Sequence, residues 1–234
     1  MFLTPFWSGP ASVNDIDAKI KELLEIEQTT SFMNHGNQLF FAALFELSLG
    51  LLAVGLGNLW GTHPNSLVPR PTDIFGLGVG LIGGAVLGLV MVAVVQSLEK
   101  FDWAWIEETS SVAEKSLGAL LKKCSILHMI ALSLAAGVGE EMLFRGWLQG
   151  TLIDRWQPVF GTTGVWIAIL VSSLIFGMAH PLSRGYVAVA FALGLVLGSV
   201  AWSCGNLLIA IIAHSTYDAA LMVIFAKKWR QKTS

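Results

Sequence analysis

Gly139-Glu140-Glu141-Met142-Leu143-Phe144-Arg145-Gly146 follows directly on an apolar run from Ile126 to Val138 that carries no Asp, Glu, Lys or Arg. A carboxylate at membrane depth costs at least a few kcal/mol, so acids at the end of such a run point first to function. Helical spacing separates the two acids. Glu141 and Arg145 stand at i,i+4 with the acid N-terminal, the favourable order, while Glu140 projects ~100° away around the axis. Glu141 and Arg145 read as a pair that secures the helix, and Glu140 as a carboxylate without a local partner around which a site is built.

Working outward, the composition sets the class of protein. Of 234 residues, 54% are hydrophobic and 13% charged, with a mean hydropathy of +0.67. A soluble domain carries about 25% charged residues, so the chain reads as an all-α, polytopic bundle of membrane-spanning helices. The net charge of -2 and the lack of a basic stripe outside Lys227-Lys228-Trp229-Arg230-Gln231-Lys232 argue against a nucleic-acid partner. Cys124 and Cys204 fall near opposite ends of different spans, and no disulfide is expected. The N-terminus lacks a basic segment followed by an apolar core and does not read as a cleavable signal.

Residues 13–27 place Val13, Ile16, Ile20, Leu23, Leu24 and Ile26 at helical spacing among charged residues, the pattern of an amphipathic surface helix. Ser12 or Asn14 would cap it. About six spans follow, near 39–60, 74–98, 124–152, 163–180, 186–202 and 207–226, each close to the ~20 residues that cross a bilayer. The first contains Glu46, read as a structural acid held protonated or hydrogen-bonded, because burying it charged is costly. In the second, Gly76, Gly80, Gly84 and Gly88 recur every fourth residue and form a smooth stripe for close helix approach. Between the second and third spans, Val112, Leu117, Leu120 and Leu121 mark an interfacial helix preceded by the Trp103 and Trp105 anchors. The organisation expected is an N-terminal segment (1–38), two spans with the interfacial helix (39–123), a core (124–226) and a basic tail (227–234). Lys and Arg concentrate on the side holding both termini, leaving only Arg70 and Arg155 opposite. The positive-inside rule then puts both termini of this integral, cell (inner) membrane protein in the cytoplasm.

Two further polar pairs lie downstream, each at i,i+4 and so on one helix face: Phe176 with His180, and His214 with Asp218. His128 reads as a satisfied core residue. Three helices that each bring an acid or an imidazole into an apolar bundle are different: apart, each group bears its own desolvation cost, and together they can satisfy one another and hold a water or an ion. The chemistry that fits is activation of water. Glu140 would take the proton, and the imidazoles would hold a metal or donate to the oxyanion formed when a peptide carbonyl is attacked. No His-Glu-x-x-His or Gly-x-Ser-x-Gly motif is present.

Glu140-Glu141-x-x-x-Arg145, Phe176-x-x-x-His180 and His214-x-x-x-Asp218, in that order on three spans, resemble the signature of the CPBP intramembrane proteases. These are the type II CAAX prenyl proteases and their bacterial bacteriocin-processing and immunity relatives. The resemblance covers about residues 124–226. It implies an endopeptidase with a peptide or protein substrate at the lipid membrane, Glu140 as base, and His180 and His214 as residues that bind metal or stabilise the oxyanion. Glu141, Arg145 and Phe176 would support them. Asp218 departs from the Asn usual in the prenyl proteases, so a prenylated substrate is not assumed. Its carboxylate could join Glu140, His180 and His214 around Zn2+, or fix the tautomer of His214. The alternatives are a catalytically idle immunity or partner-binding membrane protein and an ion carrier; a carrier pathway needs polar groups at several depths, which the second and fifth spans lack. One geometric conflict stands in the reading. Glu140 lies ~25 Å along the third span from Lys123, whereas His180 ends the fourth on that same side, and the two would not meet in an untilted bundle.

Overall fold

The computed structural model describes residues 13–101, 103–121 and 124–233, with side chains from residue 37 onward except at 119, 120 and 233. Among the described residues there are seven helices and no strand. We number them α1 (Val13–Trp60), α2 (Ile74–Leu98), α3 (Ala104–Leu121), α4 (Ile126–Phe160), α5 (Thr162–Met178), α6 (Arg184–Cys204) and α7 (Leu207–Thr233). The chain divides into a segment ending at Phe41 and a compact unit, Ala42–Ser234. The amphipathic face expected at 13–27 and its cap at Ser12 or Asn14 concern residues or side chains outside those described.

Asn37–Trp60, α2, α4, α6 and Leu207–Lys232 are long and apolar enough to cross a membrane, and α5 is apolar but shorter, at 17 residues. The protein is therefore an integral membrane protein by length and composition. Many of the large apolar side chains on these helices are exposed, among them Leu51, Ile82, Leu89 and Leu170. That is unfavourable in water and ordinary against lipid.

Small residues explain how the helices pack. Three glycines of the α2 stripe lie against α7: a Cβ on Gly80 would stand 2.7 Å from the Leu208 side chain, one on Gly84 2.7 Å from the Ile209 carbonyl, and one on Gly88 2.5 Å from the Ala213 carbonyl. Gly76 serves a different purpose. Its N–H donates to the capping carboxylate of Asp73 at 2.8 Å, and its carbonyl accepts from Asn206 Nδ2 at 2.8 Å. Gly161 and Gly205, with φ of 60° and 57°, make the tight turns that send α4 into α5 and α6 into α7, in a region of φ that favours glycine.

Contacts between loops and helix ends sort the two ends of the bundle. Asn206 meets Gly76, and Thr62 donates to Asp154 at 2.8 Å, so the starts of α2 and α7, the end of α1 and the later part of α4 share one end. At the other, Thr109 of α3 lies 3.5 Å from Ser183, and Lys228 and Lys232 pair with Glu99 and Glu114. The run expected as a basic tail forms the last turns of α7, paired with Glu99 at the end of α2 and Glu114 of α3. Phe101, Trp103 and Trp105 stack in succession at the start of α3, with centroids 5.4 and 6.2 Å apart. Cys124 and Cys204 form no disulfide.

The conflict over depth is resolved by unequal helix lengths. α4 has 35 residues and runs ~52 Å, well beyond the ~30 Å of hydrocarbon. α5, returning from the Phe160 end, has only 17 residues and covers ~26 Å. It therefore stops about midway along α4, beside Glu140, and the first half of α4 overruns it.

Candidate active site

The site forms where α4, the end of α5 and α7 meet. Ser125 begins α4 by capping the N–H of His128 at 3.3 Å and bonding its Nδ1 at 2.9 Å; His128 is thus satisfied, but exposed at the helix start and not in the core as expected. Further on, Gly137 and Gly139 remove the side chains that would hold the neighbouring helices away. A Cβ on Gly137 would lie 2.8 Å from the Ile211 carbonyl of α7, and one on Gly139 would collide with the backbone carbonyl of Glu46 of α1. From Met142 to Gln149 the helix widens to π geometry, a distortion often found at functional sites. Within it, the Phe144 carbonyl accepts from Ser172 of α5 at 2.9 Å.

Glu141 and Arg145 meet at 2.7 Å, both side chains at 0% exposure. The same carboxylate oxygen, Oε1, also accepts from His214 Nδ1 at 2.8 Å. Arg145 lies over Phe176, its guanidinium carbon 4.0 Å from the ring centroid, and a Cβ on Gly194 would crowd its Nη2 at 3.1 Å. Phe176 is edge-on to Phe144 and to His214, and its centroid is 4.6 Å from that of His180. One aromatic ring thus sits against the cation and both imidazoles, and burying it locks their relative positions.

His180 follows the end of α5. Its Nδ1 is 2.8 Å from the Phe176 carbonyl; a carbonyl only accepts, so Nδ1 carries the hydrogen and neutral His180 presents a lone pair on Nε2. That Nε2 faces Glu140 Oε2 at 3.6 Å. Tyr186 stacks on the other side of the imidazole, 6.3 Å between centroids. In α7, His214 donates Nδ1–H to Glu141, and its Nε2 faces Asp218 Oδ2 at 3.4 Å. With Nδ1–H already committed, Nε2 can donate only when the ring is an imidazolium.

The structure brings Glu140, Glu141, Arg145, Phe176, His180, His214 and Asp218 into one cluster. Residues 122–220 match the family described as Type II CAAX prenyl endopeptidase Rce1-like. This part of the chain is similar to that family. The matched stretch contains Glu140, Glu141, Arg145, Phe176, His180, His214 and Asp218. The chain matches no curated protein and no solved structure.

The cluster also permits a test of the donor set for zinc. The two imidazole Nε2 atoms each face a carboxylate of their own, Glu140 and Asp218. Among the described residues, no three His, Cys, Asp or Glu donors come together closely enough to hold an ion. A zinc site needs three or four ligands at ~2.0–2.3 Å around one point. The arrangement does not fit that requirement, and no step below passes through a metal.

Two relationships escaped the sequence. Glu141 holds His214 across 73 positions of chain, and the Glu46 carboxyl of the first span reaches that of Glu140. Neither has a local signal beyond an acid in an apolar segment, the cue that had singled out both residues.

Proposed function

We propose that the chain is an intramembrane endopeptidase in which Glu140 activates water and His214 stabilises the oxyanion. The observation that carries this reading is the pairing of Glu140 Oε2 with the lone-pair nitrogen of His180 at 3.6 Å, beside an imidazole clamped between two carboxylates. Two acceptors at that separation suit a water that donates to both, which orients its oxygen for attack. Glu140 takes one proton as the water oxygen bonds to the peptide carbon. The carbonyl electrons move to oxygen, where Nε2–H of the His214 imidazolium donates to the new charge. Collapse of the tetrahedral species breaks the C–N bond, and the proton held by Glu140 passes to the departing amine. Water is consumed, and a carboxylic acid and an amine are released, the acid's proton then passing to the amine.

In this reading Asp218 keeps His214 charged, Glu141 sets its orientation, and Arg145 and Phe176 hold Glu141 and the rings. Because Asp218 stands where prenyl proteases usually have Asn, the substrate proposed is a membrane-proximal peptide without a required prenyl group. Both termini are placed in the cytoplasm, since Lys100, Lys115, Arg184, Lys227, Lys228, Arg230 and Lys232 gather toward one end, with Arg70 and Arg155 toward the other;.

The test compares peptide termini in membranes of cells carrying wild-type protein and Glu140→Gln. New termini next to membrane segments, present only with wild type, are expected. Identical sets of termini would overturn the proposal.

A further inference from the structure

The first span brings to the site a carboxyl group that the mechanism above does not use. Glu46 lies within hydrogen-bonding reach of the Glu140 carboxyl, and no donor reaches the buried Oε2 of either residue. The backbone is built for this meeting. The Glu46 carbonyl runs so close to Gly139 that any side chain there would strike it, and one turn later a Cβ on Gly50 would be 3.5 Å from the Cα of Gly139 and from Met142 Sδ. The two helices thus cross on glycine at the position that carries the catalytic-base candidate.

We infer that Glu46 is a positioning residue for the reaction, its carboxyl holding that of Glu140 in the orientation that faces His180 across the Glu46–Gly139 crossing. This inference rests on the reading of Glu140 as base. Glu46 points at another carboxyl, an arrangement that is repulsive when both are charged and cohesive when one proton joins them in an O–H···O− bond. Removing Glu46 would leave Glu140 free to turn away from His180, and a reacting group displaced by 1 Å loses about 100-fold in rate.

The contact and its catalytic consequence are tested separately. Thermal unfolding of Glu46→Leu, Glu140→Leu and the double variant, each purified whole in detergent, forms a double-mutant cycle that needs no turnover. The shifts are expected to be non-additive. On a peptide cleaved by wild type, Glu46→Leu should lower kcat by about 100-fold with KM unchanged, while Glu46→Gln, whose amide still donates to Glu140, should stay within about threefold of wild type. Additive shifts, or equal kcat for Glu46→Leu and wild type, with Glu140→Gln inactive, would overturn this inference alone. Wild-type turnover by Glu140→Gln would overturn the reading of Glu140 and this inference with it.

Discussion

Glu141 Oε1 accepts from His214 Nδ1 at 2.8 Å while pairing with Arg145 at 2.7 Å. A residue that secures its own helix therefore also orients an imidazole on another. Glu141→Gln keeps the shape but removes the charge that serves both partners. Thermal midpoint and kcat should fall together, because Arg145 loses its counter-ion and His214 loses an anionic neighbour. An unchanged midpoint with reduced kcat would assign Glu141 to His214 alone.

Arg145→Ala should act mainly on stability. It leaves a fully buried carboxylate with one donor in place of two and removes the cation from the face of Phe176. Breaking a buried pair from one side costs about 3–5 kcal/mol, so low yield and a lower unfolding midpoint in detergent are the expected readouts. Wild-type stability would show that the pair contributes nothing to holding α4.

Glu140→Gln should separate chemistry from folding. The amide preserves size and hydrogen-bonding capacity but cannot take a proton from water, a loss of about 10²–10⁴-fold for a general base. Yield and unfolding behaviour should remain close to wild type, since Glu140 bonds no cation. Cleavage by the purified variant at the wild-type rate would end the proposed mechanism.

The helices were legible because each is an apolar run bounded by turn residues, and the fold class follows from those runs alone. The three motifs were legible because i,i+4 spacing is a local property. What is absent from any short window was not legible. Nothing local announces that α5 is short enough to end beside Glu140, that α4 widens into π geometry at Met142–Gln149, or that Lys228 and Lys232 continue α7 and dock on Glu99 and Glu114. Each depends on which helices become neighbours. The glycines of α2 told of a close approach but not that the partner would be α7.

Topology can be checked by labelling. With Cys124 and Cys204 replaced by Ser, Asn65→Cys and Gln231→Cys should react with an impermeant thiol reagent from opposite sides of the membrane, position 231 from the cytoplasm. Labelling of both from one face would mean that a span had been miscounted.

The native cysteines offer a related measurement. Cys124 is buried, and burial pushes its thiol above the ordinary range. A raised thiol pKa means less thiolate at neutral pH, so Cys124 should react more slowly than exposed Cys204 and speed up as the solution is made alkaline. Equal rates at neutral pH in detergent would contradict the burial of Cys124.

Asp218 decides between two kinds of chemistry. Had it been a ligand, its oxygen would share a centre with His180, His214 and Glu140. Instead Oδ2 faces Nε2 of His214 at 3.4 Å, the nitrogen that must bear a proton if it is to serve an oxyanion. An amide at 218 can still hydrogen-bond but cannot balance the imidazolium charge. Asp218→Asn should therefore slow turnover, by about 10-fold if an orienting partner is lost, and alter the pH–rate profile, with no dependence on added zinc. Wild-type activity should survive a strong chelator, and metal analysis of purified protein should find zinc well below one per chain. Stoichiometric zinc in wild type, with weaker binding in Asp218→Asn and activity restored by zinc, would replace the glutamate-and-water mechanism with a metal-assisted one, because Asp218 would then be acting as a ligand and not as the counter-ion of His214.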